Sequence, residues 1–145
     1  MKRLACIGMM AIGLAGCHPA GDAGGVPTAP TNTVNLMTVT AVAQSGVSGC
    51  PMRISFYGTI TAKGSGRATY RWELSDGTQT DEQGVVFNNP MVQNGDFVEL
   101  GQGDINVSGP ALTASADGLV WGRLHVLTPQ DMSSQPAYWN VVCGR

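Results

Sequence analysis

Residues 68–77 read Ala-Thr-Tyr-Arg-Trp-Glu-Leu-Ser-Asp-Gly and show the sharpest alternation of this 145-residue chain. In this stretch Tyr70, Trp72 and Leu74 alternate with two charged residues. Successive side chains of a β-strand point to opposite faces of a sheet, so this order predicts a strand with its aromatic side inward. The Ser-Asp-Gly that follows consists of residues that favour turns. The segment predicts a β-strand and a turn, and places the chain in the all-β class.

The same period of two extends on both sides of this stretch, from Val34 onward. Gly and Asn interrupt it roughly every 8–12 residues, which is typical of a sandwich or a barrel, and no segment shows a convincing helical period. We therefore expect seven or eight strands in one domain over residues 34–145. The predicted strands are Val34 to Ala43, Met52 to Ala62, Ala68 to Leu74, Val85 to Asn88, Phe97 to Leu100, Ile105 to Ser108, Leu119 to Leu127 and Ala137 to Cys143.

The N-terminus has the pattern of an export signal. Two basic residues, Lys2 and Arg3, precede eleven mostly apolar residues at positions 4–14. Such a stretch suits the apolar region of a signal peptide, whereas a spanning helix needs about 20 apolar residues. An uncleaved or chance apolar segment is the alternative.

The end of this stretch, Leu14-Ala15-Gly16-Cys17, resembles the lipobox of bacterial lipoproteins, in which the cysteine is acylated and begins the mature chain. The resemblance implies a signal peptide over 1–16 and a membrane anchor at Cys17. Because several acyl chains bind a bilayer firmly, the anchor would be lasting. His18 occupies the position where an Asp favours the inner membrane, so the resemblance implies the outer membrane.

The segment after Cys17 is predicted to be a tether over residues 17–33. Residues 18–33 contain three prolines, three glycines and almost no large apolar side chains. As a flexible coil they would span roughly 20 to 24 Å. The folded domain would therefore lie close to the membrane surface.

The mature chain is mildly acidic. Without residues 1–16, six Lys and Arg residues face ten Asp and Glu residues, a formal charge of −4. The basic residues are scattered, whereas nucleic-acid binding needs a basic patch. We therefore expect no nucleic-acid partner, and no cofactor.

Four cysteines take different roles once the signal is set aside. Cys6 is removed and Cys17 is acylated, which leaves Cys50 and Cys143. In an oxidising envelope compartment these two predict one disulfide. Zinc is the competing use of cysteine, but no CxxC or histidine spacing accompanies the pair. Strand parity agrees with the disulfide, because the residues that share an inward face with the cysteines are mostly apolar: Met52, Ile54, Phe56, Gly58 and Ile60 with Cys50, and Trp139 and Val141 with Cys143.

Tyr70, Trp72, Asp76 and Gly77 resemble the Tyr-x-Trp and Asp-Gly of PKD and related immunoglobulin-like domains. The similarity extends to bacterial immunoglobulin-like modules over roughly residues 49–144. It is carried further by Cys50-Pro51, Phe56 to Ile60, Gly64 to Gly66 and Cys143. It implies an immunoglobulin-like β-sandwich of seven or eight strands with one disulfide. Unlike the antibody domains, this chain has its second cysteine at the end of the last strand.

One strand carries a candidate binding row. Within Leu119 to Leu127, the side chains of Trp121, Arg123 and His125 share the face opposite the apolar one. An aromatic ring, a guanidinium and an imidazole in a row could stack on a sugar or bind a carboxylate. The alternative is an ordinary solvated face of a sheet.

Two further features have both a structural and a functional interpretation. The acidic residues lie mostly beside Gly or Asn, as calcium-binding loops do, but none forms a calcium motif and turn chemistry explains them, so we expect no metal site. Residues 88–118 are divided into short pieces by Gly, Asn and Pro. They are either a structural meander or, as loops often are, the contact surface of the domain.

Three functional hypotheses follow. The leading one is a non-enzymatic outer-membrane lipoprotein that binds a protein or packs into an envelope assembly. The second is a carbohydrate or peptidoglycan binding module that uses Trp121, Arg123 and His125. The third is a hydrolase, which would need His125 and an acid in one cleft.

Overall fold

The computed structural model describes residues 32–46 and 48–144, whose regular structure is entirely β. The predicted signal peptide, Cys17 and the tether up to residue 31 lie outside the described residues. Ten strands occur in the described part: β1 (Asn35–Ser45), β2 (Met52–Lys63), β3 (Ser65–Leu74), β4 (Gln83–Asn88), β5 (Met91–Asn94), β6 (Phe97–Leu100), β7 (Gln102–Ala114), β8 (Gly118–Thr128), β9 (Met132–Ser133) and β10 (Ala137–Val141).

The strands form three sheets, and every pairing is antiparallel. One sheet has the order β1-β2-β7, a second has the order β10-β8-β3-β4 with β9 also on β8, and β5 pairs with β6 alone. The all-β prediction is confirmed. The two strands absent from the prediction, β5 and β9, have four and two residues, too few for a readable alternation.

The predicted inward faces are confirmed by burial. On β2 the alternation is complete from Met52 to Ala62, with every second residue buried. On β3 the side chains of Tyr70, Trp72 and Leu74 are buried. These side chains join one apolar core to which both larger sheets contribute. Alternating sequence thus places one face of each sheet in the core.

Glycines make room for the largest core side chains. A Cβ at Gly109 of β7 would lie 2.8 Å from the Trp72 ring, and one at Gly122 of β8 would lie 2.7 Å from the Phe56 ring. The rings of Phe56 and Trp72 have centroids 6.3 Å apart. A Cβ at Gly58 would likewise lie 2.5 Å from Leu124. The core therefore depends on backbone that approaches aromatic and aliphatic side chains closely.

The predicted disulfide between Cys50 and Cys143 is confirmed. It joins the loop before β2 to the segment after β10, with the two Cα atoms 5.2 Å apart and a sequence separation of 93. The Cys143 amide also donates a hydrogen bond to the Asp117 carboxylate, just before β8. We call this part of the molecule the disulfide end.

The described chain begins at the end of the domain opposite the disulfide end. Thr33 lies in the predicted tether, yet its amide donates to the Ser65 carbonyl at 3.0 Å. The Asn32 side chain donates to the Arg67 carbonyl at 2.8 Å. The chain is therefore attached to the start of β3 from Asn32 onward. We call this part the hairpin end, because the β5–β6 hairpin also begins there.

Candidate functional site

A charged network lies on the face of the β3–β8 pair that points away from the core. Its centre is Glu73 of β3, and Arg71, Arg123, His125 and Asp131 complete what we call the Glu73 network. In the register of the two strands, Glu73 faces Arg123 and Arg71 faces His125. Opposite charges directly across two strands attract each other, so the strand register itself pairs Glu73 with Arg123.

Glu73 binds three cationic or potentially cationic groups through its two carboxylate oxygens. Oε2 accepts a hydrogen bond from Arg123 Nε at 2.9 Å and a second one from the same guanidinium. Oε1 is 2.9 Å from His125 Nδ1 and 3.5 Å from an amino group of Arg71. The Glu73 side chain is only 11% exposed. A buried carboxylate needs such partners, because desolvation disfavours its charge.

Burial and the charged partners of Glu73 shift its pKa in opposite directions. Burial raises the pKa of the Glu73 carboxyl, but the hydrogen bonds and charges of Arg123 and His125 outweigh it and hold the pKa below its ordinary value. Glu73 therefore favours the charged form in the folded protein.

His125 links the sheet to the turn that follows β8. Its Nε2 lies 2.7 Å from Asp131 Oδ1, while its Nδ1 faces Glu73. The neighbouring Gln130 accepts a hydrogen bond from the Leu36 amide at 2.8 Å and donates one to Asn35. The turn is thereby attached to both larger sheets. With a carboxylate at each ring nitrogen, His125 has the contacts of a structural link.

The predicted row divides into two parts. Arg123 and His125 lie together in the Glu73 network, whereas Trp121 lies beside Tyr138 of β10 in the strand register. Trp121 is partly exposed and Tyr138 is exposed. The strand register places both side chains on the outer face of the sheet.

Sequence reasoning missed Glu73, Arg71 and Asp131 as members of the network. All three residues are recognisable as charged in the sequence, and the alternation of side chains along a strand puts Arg71 and Glu73 on the same face of β3. The missing information was the register of β3 on β8, which are separated by about 50 positions. A proposed pairing that set opposite charges face to face could have found them.

The second notable surface is the β5–β6 hairpin, residues 91–100. Met91, Val92, Phe97 and Val98 are exposed, with Phe97 at 75% and Met91 at 67%. The register Gln93 to Val98 and Asn94 to Phe97 places apolar side chains on both faces of the ribbon. Exposed apolar clusters are typical of interaction sites, and a two-stranded ribbon alone has marginal stability.

The base of the hairpin is held firmly. Asn89 donates from Nδ2 to the Ala62 carbonyl at 3.1 Å, and its own carbonyl accepts from Ser65 Oγ at 2.9 Å. The Gly101 amide donates to the Pro90 carbonyl at 3.1 Å. At the tip, Gly95 has a φ of +63°, which tight two-residue hairpin loops require. The hairpin is therefore presented from a fixed base.

Among the described residues no group of three or more His, Cys, Asp or Glu side chains is arranged so that it could hold a metal ion. None of their segments is a helix long and apolar enough to cross a membrane. The chain finds no significant match among protein-family models, curated proteins or solved structures.

Proposed function

We propose that this protein is a non-enzymatic lipoprotein of the outer membrane that binds another protein of a cell-envelope assembly. The observation that carries the proposal is the β5–β6 hairpin, whose apolar side chains are exposed on both faces. Its location fits the interpretation of residues 88–118 as a contact surface. A ribbon that contributes nothing to the core is best explained by a partner that covers it.

The same proposal includes the fold family, an immunoglobulin-like β-sandwich. Support comes from the Tyr-Arg-Trp-Glu segment in β3 and from a core shared by the three-stranded and five-stranded sheets. The lipobox-like Leu14-Ala15-Gly16-Cys17 supports the anchor. The disulfide fits an oxidising compartment.

The non-enzymatic part of the proposal is supported by the contacts of His125. A general base needs a nitrogen that can reach the proton it removes. In this protein Glu73 and Asp131 occupy the two ring nitrogens. The Glu73 network therefore has the character of a structural charge cluster.

The test is crosslinking of the full chain in intact native membranes, followed by purification in mild detergent and mass measurement. The wild-type chain should run with a partner, and Phe97→Ser should run without it, because an exposed ring at the interface centre contributes most to binding. Val86→Ser is the matched control, since Val86 is exposed on β4 outside the hairpin. A wild-type chain that is always alone would contradict the proposal.

The second candidate, carbohydrate or peptidoglycan binding, is supported by the adjacent Trp121 and Tyr138. Arg123 and His125, predicted to share this site, are bound to Glu73 instead. An aromatic pair can stack on a sugar without them. If the protein binds cell wall and Trp121→Ala abolishes that binding, the result favours this candidate. If Trp121→Ala leaves the binding unchanged, Trp121 is not part of a carbohydrate site.

A further inference from the structure

We infer that the β5–β6 hairpin docks into an apolar groove with a basic rim on a protein embedded in the same membrane that anchors Cys17. The inference deepens the proposed function and rests on its lipid anchor. It is carried by the place where the hairpin leaves the domain and by the hairpin's charge.

The tether and the hairpin are attached to the same turn. The Thr33 amide donates to the Ser65 carbonyl at 3.0 Å, and Ser65 Oγ donates to the Asn89 carbonyl at 2.9 Å. Next to Ser65, the Gly64 amide donates to the Gly101 carbonyl at 2.8 Å. Both ends of the hairpin and the end of the tether therefore meet at one point of the molecule.

This placement brings the hairpin near the membrane. Asn32 lies 15 positions after Cys17 in the sequence. The tether predicted from the sequence would span about 20 Å, and four strand residues of the hairpin would add a length of about 13 Å. A hairpin at the tether's point of entry is thus within reach of proteins in the anchoring membrane.

The charge of the hairpin indicates which kind of binding partner at the membrane would fit it. Asp96 and Glu99 are the charged residues of the hairpin, which contains no Lys or Arg. Anionic lipid head groups and a second copy of this chain would both repel that charge. A basic rim would attract it. Apolar side chains on both faces require a groove rather than a flat surface.

Size explains why the anchor matters. The hairpin has ten residues, whereas a stable interface uses about 20–30 residues on each side. Confinement of both partners to one membrane raises their effective concentration and compensates for a small interface. Binding should therefore depend on Cys17 as well as on the apolar side chains.

The test is photo-crosslinking of the full chain in its native host. A photoreactive amino acid replaces Val92 or Val98, which lie on opposite faces of the hairpin. Replacements at the exposed Val42 and Val86 serve as controls. We expect both hairpin positions to crosslink to one integral membrane protein and the control positions not to do so. The Cys17→Ser chain should give about tenfold less of this crosslinked product than the wild type, because it is no longer confined to the partner's membrane.

Other products would overturn the inference. These are an adduct with lipid, an adduct with a second copy, an adduct with a soluble protein, crosslinking from one face only, and no adduct at all. Incorporation of a clickable palmitate, measured in parallel, tests the anchor itself. A wild-type chain that takes up no label contradicts the lipoprotein proposal, whereas labelled chains without the expected adduct contradict only the inference about the hairpin.

Discussion

Glu73 shows how a single residue can hold two strands together from outside the core. It bonds to Arg123 and His125 on β8 from its position on β3, with little exposure to solvent. Removal of its charge would leave partly buried cations without their partner. Leaving a buried charge without its partner typically lowers the free energy of unfolding by more than the intact interaction contributes to it.

Glu73→Gln should lower stability by about 1–2 kcal/mol at neutral pH. Because the folded-state pKa of Glu73 lies below the ordinary 4.5, its contribution is complete above 4.5 and is lost as the pH falls through the lowered pKa. The free energy of unfolding of the variant should therefore fall less between neutral and acidic pH than that of the wild type. Urea unfolding at a series of pH values measures this difference.

The control for that series is Glu99→Gln, which removes the same charge from the exposed hairpin. Its pH profile should follow that of the wild type. Parallel profiles for Glu73→Gln and wild type below the ordinary carboxyl pKa would show that the carboxylate has no stabilising role.

Gly109 is a second position where one residue sets the packing. A methyl group there would lie 2.8 Å and 2.9 Å from two atoms of the buried Trp72 ring. Overpacking of this kind costs about 1–3 kcal/mol, so Gly109→Ala should lower the unfolding midpoint in urea. Gly118→Ala is the control, since nothing lies within 4 Å of the added methyl group. Equal midpoints for the two variants would contradict the packing described for Trp72.

At the scale of elements, three of the four outer strands of the larger sheets carry features that oppose pairing with another chain. β1 has an irregular register between Leu36 and Thr38, β7 contains Pro110, and Pro136 separates β9 from β10. Bulges and prolines of this kind protect sheet edges. β4, the remaining outer strand, and the β5–β6 hairpin contain neither within their strands.

Asn89 is expected to control how rigidly that hairpin is held. Asn89→Ala removes the hydrogen bond from the side chain to the Ala62 carbonyl. Amide exchange over residues 91–100 should become faster, while global stability falls by only about 1 kcal/mol. Hydrogen exchange followed by mass spectrometry measures both regions at once.

The comparison for this experiment is Asn140→Ala, at an exposed position of β10. It should leave exchange in the hairpin unchanged. If Asn89→Ala also leaves it unchanged, the base is held by the Ser65 side-chain hydrogen bond and the Gly101 backbone hydrogen bonds.

The elements also show what the sequence can and cannot predict. The alternation is strict from Met52 to Ala62 in β2 and from Ala68 to Trp72 in β3, and there the predicted faces are the buried ones. In β5 the pattern Met-Val-Gln-Asn has no preferred inner face, because neither side of the ribbon is covered. The Glu73 network required the pairing of two strands far apart in sequence, and pairing depends on the whole fold.

At the scale of the whole molecule, the two ends have different roles. The hairpin end holds the tether entry, the β2–β3 turn and the base of the β5–β6 hairpin. The disulfide end holds Cys50, Cys143 and the start of β8. The covalent link therefore closes the end of the domain away from the proposed membrane contact.

That separation predicts the effect of removing the disulfide. A double Cys50→Ala and Cys143→Ala variant should lose up to about 4.5 kcal/mol of stability, because a loop of some 90 residues is no longer closed in the unfolded chain. The loss should appear as a lower urea midpoint. The folded variant should show faster exchange in residues 48–52 and 139–144, with the hairpin unaffected. Reduced wild-type protein is the control and should match the variant, since both lack the link. Faster exchange in the hairpin as well would show that the two ends are coupled, and would contradict the separation of roles.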